Sequence, residues 1–354
     1  MKKYRFLLHR QTWVKLEKYL FDLKNGQSPG KYLSEKLEGW DLSTISKIRF
    51  LETLIRTKKP TIFAEMHVYG NGRDWNQQEL SILGDISLAM PVTIFDYGLR
   101  HHPSIHQIPF KAHLVFTPGA LLKNGRNQKP ADLEEVTCGG KIDPAGFNKL
   151  YERRLLPAFL HINKTAGQMG KPAFITIPGL GCGQFAGIFH HQLGSFLQGA
   201  IHHLLQSHGK TFSHIKGVYF DPYQECDNER YKIHGIHFLV RPLKKQNFEK
   251  PQLCQPRLYQ EREDDFLNCE LFSLVAWDHV SWPGNDFYAG SRNTDDGVKA
   301  AATDAIRVIT GVRGEYDRQD YKYQPPEPYH TWGEIVIERE IQLGVENNFI
   351  IYPS

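Results

Sequence analysis

Carboxylates crowd into one short stretch of this sequence, Trp277-Asp278-His279-Val280-Ser281-Trp282-Pro283-Gly284-Asn285-Asp286-Phe287, which continues to Asn293-Thr294-Asp295-Asp296-Gly297. Aspartates can bind ribose hydroxyls, accept a hydrogen from adenine's amino group, or activate a water as general base. Trp282 and Phe287 offer flat faces for a nucleobase. Asp295 and Asp296 also stand where a helix starts, so capping is the competing reading of either one alone.

A second stretch suits phosphate. Phe174-Ile175-Thr176-Ile177 reads as a buried strand, and Pro178 leads into Gly179-Leu180-Gly181-Cys182-Gly183-Gln184-Phe185-Ala186-Gly187. Glycines let backbone N–H groups approach a ligand closely, and a helix N-terminus adds unsatisfied donors. No Lys-Ser/Thr follows, so this is not a Walker A loop. The Gly181–Ala186 run matches the looser G-x-G-x-x-A fingerprint, without the acidic residue about 20 positions on that would hold a ribose. An anion cradle and a plain strand-to-helix turn both remain open.

Positioning these stretches requires strands that end where the loops begin. Short apolar runs predict strands at Val92–Phe95, His113–Phe116, Ala173–Ile177, Gly217–Phe220, Ile236–Val240, Phe272–Ala276 and Glu334–Ile337. Helical spacing links Ile188 to Leu205, and again Val298 to Ile309, with Gly311 as the stop. Strand–helix alternation predicts an α/β layered domain with a mostly parallel or mixed sheet. Ligands in such sheets bind outside the carboxyl ends of strands.

Residues 1–60 differ in character. They hold 14 Lys/Arg against 6 Asp/Glu, a net of +8, and leave the rest of the 354-residue chain at −4. Trp13, Leu16, Tyr19 and Leu20 recur at helical spacing, as do Ile48, Leu51, Leu54 and Ile55. The expected organisation is a basic helical appendage over 1–60 and a catalytic domain over 61–354. The appendage is either a solvated cap or a surface for a host partner.

Several classes are set aside. No apolar run approaches the roughly 18 residues of a membrane span, and the overall charge does not call for nucleic acid. Five cysteines without a CxxC pair do not make a disulfide scaffold. The pairs His101-His102, His190-His191 and His202-His203 lack zinc-ligand spacing, so no metal is expected. Cys182 has no identifiable base and is read as a small loop residue.

Taken together, the glycine loop is similar to the macrodomain diphosphate loop. The run Asn293-Thr294-Asp295-Asp296-Gly297-Val298-Lys299-Ala300-Ala301 resembles the other macrodomain loop, although here it follows the glycine loop rather than preceding it. Trp277-Asp278, Gly284-Asn285-Asp286-Phe287 and Asp295-Asp296-Gly297 resemble, more narrowly, the Legionella effector macrodomains. These are ADP-ribosyl hydrolases, with ubiquitin arginine as the substrate class. The resemblance runs from about residue 90 onward. It implies a macrodomain-like mixed sheet flanked by helices, with rearranged loop order. It places Asp286, Asp295 and Asp296 at the distal ribose as catalytic candidates and Asp278 at adenine. Asn285, Phe287, Trp282, Gly179, Gly181, Gly183, Gln184, Phe185, Ala186 and Gly187 complete the ligand-binding set. ADP-ribose is the substrate or product, and no cofactor is implied. The implied partner is ADP-ribosylated protein, with ubiquitin foremost, in host cytosol after secretion; apart from the resemblance, the reading is cytoplasmic. The alternatives are an ADP-ribose reader without turnover and an NAD-dependent ADP-ribosyltransferase.

Overall fold

The computed structural model describes residues 3–62, 74–101, 103–124 and 129–353. Its main sheet contains β1 (Arg5–His9), β2 (Ile86–Asp96), β3 (Ile105–Pro118), β4 (Ala173–Pro178), β5 (Ile215–Asp221), β6 (Glu229–Ile233), β7 (Ile236–Val240), β8 (Glu270–Trp277) and β9 (Phe349–Tyr352). Their spatial order is β9-β1-β2-β3-β8-β4-β5-β7-β6. The neighbours β3, β8, β4, β5 and β7 run parallel. All five therefore open their following loops at one edge of the sheet, which fixes where a ligand can sit.

Side chains alternate across the strands and sort into two cores. Leu88, Met90, Leu114, Phe116 and Val275 face one layer, with Leu16 of α1 (Arg10–Lys24) and Leu51 and Leu54 of α3 (Lys47–Ile55); α2 (Lys31–Leu37) and α4 (Gln77–Leu83) complete that layer. Ala89, Val115, Ile175, Ile177 and Leu274 face the other, against Leu155 and Phe159 of α5 (Pro144–Met169) and Leu197 and Ile201 of α6 (Leu193–His208). The chain is thus a mixed α/β sheet flanked by helices on both faces. Further helices are α7 (Asp295–Ala301), α8 (Ala305–Thr310) and α9 (Trp332–Glu338).

Six of the seven predicted strands lie inside β2, β3, β4, β5, β7 and β8. The seventh, Glu334–Ile337, is helical and belongs to α9. Thr331 and Glu334 form a reciprocal capping box there, which starts a helix where apolar content alone suggested a strand. The expected helix from Ile188 is also corrected. Gln184–Phe189 is a 3₁₀ segment with Gly187 at φ 58, His191 follows at φ 69, and α6 begins only at Leu193. Ile188 is 84% exposed, so it never belonged to the apolar face. The run from Val298 to Ile309 is two helices, α7 and α8, and Gly311 ends the second at φ 76.

The described part of residues 1–60 carries a strand as well as three helices, and it is not an appendage. β1 lies inside the sheet, antiparallel to β2 and parallel to β9. Leu16, Leu20, Phe50, Leu51 and Leu54 are buried in the same core as the sheet. Most of the cations from Lys3 to Lys59 are exposed or half-buried, Lys58 alone among those described being buried, and Phe6-Leu7-Leu8 is too brief a run to announce a strand.

Candidate functional site

β8 and β4 are hydrogen-bonded neighbours, so the aspartate-rich loop and the glycine loop leave the sheet side by side. Adjacency in the sheet brings them together although the glycine loop comes first along the chain. Between them lies a cleft of about 420 Å³ lined by Gly179, Gly181, Gly183, Gln184, Phe185, Trp277, Asp278, Asn285, Asp295 and Asp296. A larger hollow of about 720 Å³ adjoins it and shares Gly179, Gly183, Asn293, Thr294 and Asp295. Asp295 stands at the junction.

The glycine wall is shaped by close backbone approach. Gly181 has φ +74, and a Cβ there would fall 2.7 Å from the Ala120 nitrogen and 3.1 Å from the Tyr151 hydroxyl. Tyr151 donates to the Leu180 carbonyl at 2.6 Å and accepts from the Ala120 N–H at 3.1 Å, pinning the loops after β3 and β4 together. Among the described residues, the N–H groups of Gly181, Gly183, Gln184 and Phe185 have no acceptor. They form a row of donors suited to an anion. Cys182 is buried among them, and burial pushes its thiol well above its ordinary range, as expected of a loop filler.

On the opposite wall each aspartate is in a different state. Asp278 accepts from the N–H groups of Val280 (2.7 Å) and Ser281 (2.6 Å), from the Ser281 hydroxyl (2.5 Å) and from Asn285 Nδ2 (3.2 Å). Asp296 is 3% exposed and accepts from the N–H groups of Gly284 (2.7 Å) and Asn285 (3.1 Å). Burial raises the Asp296 carboxyl well above the usual carboxylate range; the Gly284 hydrogen bond opposes this, and Asp278, Asp286 and Asp295 reinforce it. Asp295 Oδ2 accepts from the Ala276 N–H (2.8 Å) and pairs with the buried Lys299 ammonium (3.1 Å). Its Oδ1 has no partner among the described residues. The helix cap is Thr294, whose hydroxyl accepts from the Gly297 N–H at 3.0 Å, so capping accounts for neither Asp295 nor Asp296.

Not every expected residue reaches the cleft. Asp286 accepts from the N–H groups of Asn293 (3.0 Å) and Thr294 (3.1 Å) and from the Thr294 hydroxyl (2.7 Å), and it is absent from the lining. It ties the two ends of the aspartate loop together. A Cβ on Gly297 would lie 1.8 Å from Asp286 Oδ1, which fixes glycine at that position. Asp286→Ala should therefore cost about 0.5–1.5 kcal/mol, the net worth of bonds whose Asn293 and Thr294 donors are exposed to water. Urea unfolding measures this.

Trp282 and Phe287 do not form a base shelf. Both are buried, and the Trp282 indole donates to the Lys58 carbonyl at 3.1 Å. The aromatic rings that do line the cleft are Trp277 and Phe185. Ala186 is fully buried, and Gly187 borders a separate small hollow with Lys123 and His190. His190 and His191 line the larger hollow with His101, whereas His102 lies outside the described residues. No group of three His, Cys, Asp or Glu among the described residues has metal-ligand geometry.

Sequence reasoning missed Arg100, which lines both hollows and donates to Asn293 Oδ1 at 3.1 Å. It sits on the β2–β3 connection, which Arg292 braces through paired bonds to Asp96 (2.6 and 2.9 Å) and one to the Leu99 carbonyl (3.1 Å). Nothing in the local sequence distinguishes Arg100 from any hairpin arginine.

A mixed α/β sheet whose two adjacent loops, one glycine-rich and one aspartate-rich, enclose a cleft at the strand ends defines a macrodomain. The family model described as macrodomain effector MavL matches residues 4–329, and the chain belongs to that family. The match reaches into β1, consistent with an N-terminal segment that is integral to the fold. No curated protein matches the chain.

Proposed function

We propose that this chain is an ADP-ribosyl hydrolase that releases ADP-ribose from modified protein, with arginine-linked ubiquitin as the substrate class the family resemblance implies. One observation carries the reading. A cleft of about 420 Å³ is lined both by residues whose backbone N–H groups have no acceptor among the described residues and by a carboxylate one of whose oxygens has no partner among them. The donors from Gly181 to Phe185 hold the diphosphate without any need for bulk positive charge, and Arg100 adds a cation at the rim.

Breaking a ribosyl–guanidinium bond builds positive charge at the anomeric carbon, as in glycoside hydrolysis. Asp295 is the residue placed to stabilise that charge or to take a proton from water. Lys299 and the Ala276 N–H fix one of its oxygens and leave the other for the reaction. Asp296 and Asp278 shape the wall, and Asp286 acts through the loop it closes. No cofactor enters this scheme. Secretion into host cytosol accords with the family's description as effectors, and no helix among the described residues is long and apolar enough to cross a membrane.

A second reading is favoured by the hydrogen bonds themselves. Asp278, Asp286 and Asp296 are each occupied by donors of their own loop, as in a site built to hold ADP-ribose without cutting it. Incubation with ADP-ribosylated ubiquitin separates the two. Release of free ADP-ribose supports the hydrolase, binding without release supports the reader, and neither overturns both. Gly181→Ala tests the cradle in the same assay. Its Cβ collides with the loop after β3, so ADP-ribose affinity should fall about tenfold or more, a loss of at least ~1.4 kcal/mol. Isothermal titration reads this directly.

A further inference from the structure

The segment that follows α3 is laced to the aspartate-rich loop. The Lys59 N–H donates to the Val280 carbonyl at 2.8 Å, and the Trp282 N–H returns a bond to the Lys59 carbonyl at 2.7 Å. The Trp282 indole donates to the Lys58 carbonyl, and the Ile62 N–H donates to Asn285 Oδ1 at 2.8 Å. Within this lacing lies a lysine whose side chain turns inward. Lys58 is 3% exposed; its ammonium donates to the His279 carbonyl at 2.6 Å and lies 4.0 Å from the centre of the Trp277 ring. Trp277 and Asp278 line the cleft, and Asp296 stands beside them.

A buried ammonium with one hydrogen bond is costly unless negative charge lies nearby. Here Asp278 supplies it, with Asp296 adding to it only to the extent that its buried carboxyl ionises. We propose that Lys58 is a positioning residue of the aspartate-rich loop, its ammonium clamped between the His279 carbonyl and the Trp277 face so as to hold the Asp278–Asn285 turn closed and to balance the carboxylates of the cleft wall. The link to catalysis rests on the proposed function; the clamp itself does not.

The groups facing Lys58 are Asp278 and Asp296, which favour its charged form, and His279, a fully buried imidazole that burial keeps neutral. Burial outweighs the two carboxylates and brings the ammonium down to about 7. The charge of the clamp therefore changes across neutral pH, and the loop's hold on the cleft should change with it.

The test uses the full chain with Lys58→Met and Lys58→Arg. Methionine keeps the volume without the charge; arginine keeps the charge through neutral pH. In Lys58→Met, amide exchange at Val280, Trp282 and Gly284 should accelerate about tenfold while α5 is unchanged, because the opening is local. Lys58→Arg should restore much of that protection. The wild-type profile of ADP-ribose affinity against pH should bend near 7, and the bend should vanish in both variants. Uniformly faster exchange throughout Lys58→Met, or a bend that survives in it, would overturn the clamp. If the wild-type chain does not bind ADP-ribose, the proposed function fails, yet the exchange pattern still decides the role of Lys58.

Discussion

Asp295→Asn should slow release of ADP-ribose from modified protein by about 10²–10⁴-fold, the range spanned by loss of a general acid or base. Asparagine has the same shape. Its carbonyl oxygen can still accept the Ala276 N–H, so the start of α7 keeps its geometry. What disappears is the proton-accepting oxygen at the junction of the two hollows and the charge paired with Lys299. The Asp295 side chain is 26% exposed, but Lys299 is buried and loses its paired carboxylate while keeping its bonds to the Gln252 side chain and the Leu274 carbonyl, so stability should also fall, by about 1–3 kcal/mol. ADP-ribose should bind within a few-fold of wild type, since the donors from Gly181 to Phe185 are untouched. Single-turnover release with ADP-ribosylated ubiquitin, beside titration of free ADP-ribose, separates chemistry from binding. Unchanged release with unchanged binding would falsify the assignment and move the reaction to another carboxylate. Loss of both together would mean that Asp295 holds the ligand rather than attacking the bond.

The contrast among the four aspartates shows what a sequence can reveal about such a site. Density of carboxylates marks a loop that lines the cleft, because strand ends and glycine turns are local signals. Which carboxylate is free depends on hydrogen bonds that only the folded loop defines. Asp286 reads as the equal of Asp295 in the chain, yet it closes the loop while Asp295 faces the cleft. Trp282 and Phe287 read as stacking residues because aromatics in a polar loop look exposed; their rings instead fill the core beneath it. The long helix α5 passed unremarked. Pro157 interrupts its pattern, and Arg153 and Arg154 occupy positions where an apolar stripe would be expected. Their burial makes sense only with Asp85, Glu135 and Asp132 beside them, residues brought in from other elements. Lys58 was hidden for the same reason, since Lys58-Lys59-Pro60 reads as part of a charged surface.

The buried arginines lead to the largest expected effect on stability. Arg154 is fully buried and donates to Asp85 Oδ1 (3.2 Å), to both oxygens of Asp132 (2.8 Å each) and to the Gly119 carbonyl (2.7 Å). Asp132 in turn accepts from the Leu121 N–H at 2.7 Å. One side chain of α5 thus holds the loop after β3, and that loop abuts the cradle: a Cβ on Gly119 would lie 2.1 Å from the Gly181 nitrogen. Arg154→Met should cost about 3–5 kcal/mol, because it leaves Asp132 charged and buried with no full counter-charge. Burial opposes the charged forms of Asp85 and Asp132. Arg153, Lys15 and Arg154 around the first, and Arg154 with His279 around the second, outweigh it and hold both carboxyls well below the usual range. A carboxyl depressed in the folded state adds stability above its unfolded value of about 3.9 and loses it as pH falls further. Wild-type stability should therefore hold down to about pH 4 and decline below it. In Arg154→Met the Asp132 carboxyl rises toward or above its unfolded value, so its share of the acid decline shrinks, and the loss relative to wild type should be largest near pH 7 and narrow as pH falls. Urea unfolding across pH 3–7 measures both changes. A loss below about 1 kcal/mol would mean that water or His279 compensates Asp132. The predicted loss would instead show that the cradle is held in shape by charges buried behind it, so that ligand affinity in this variant should fall together with stability.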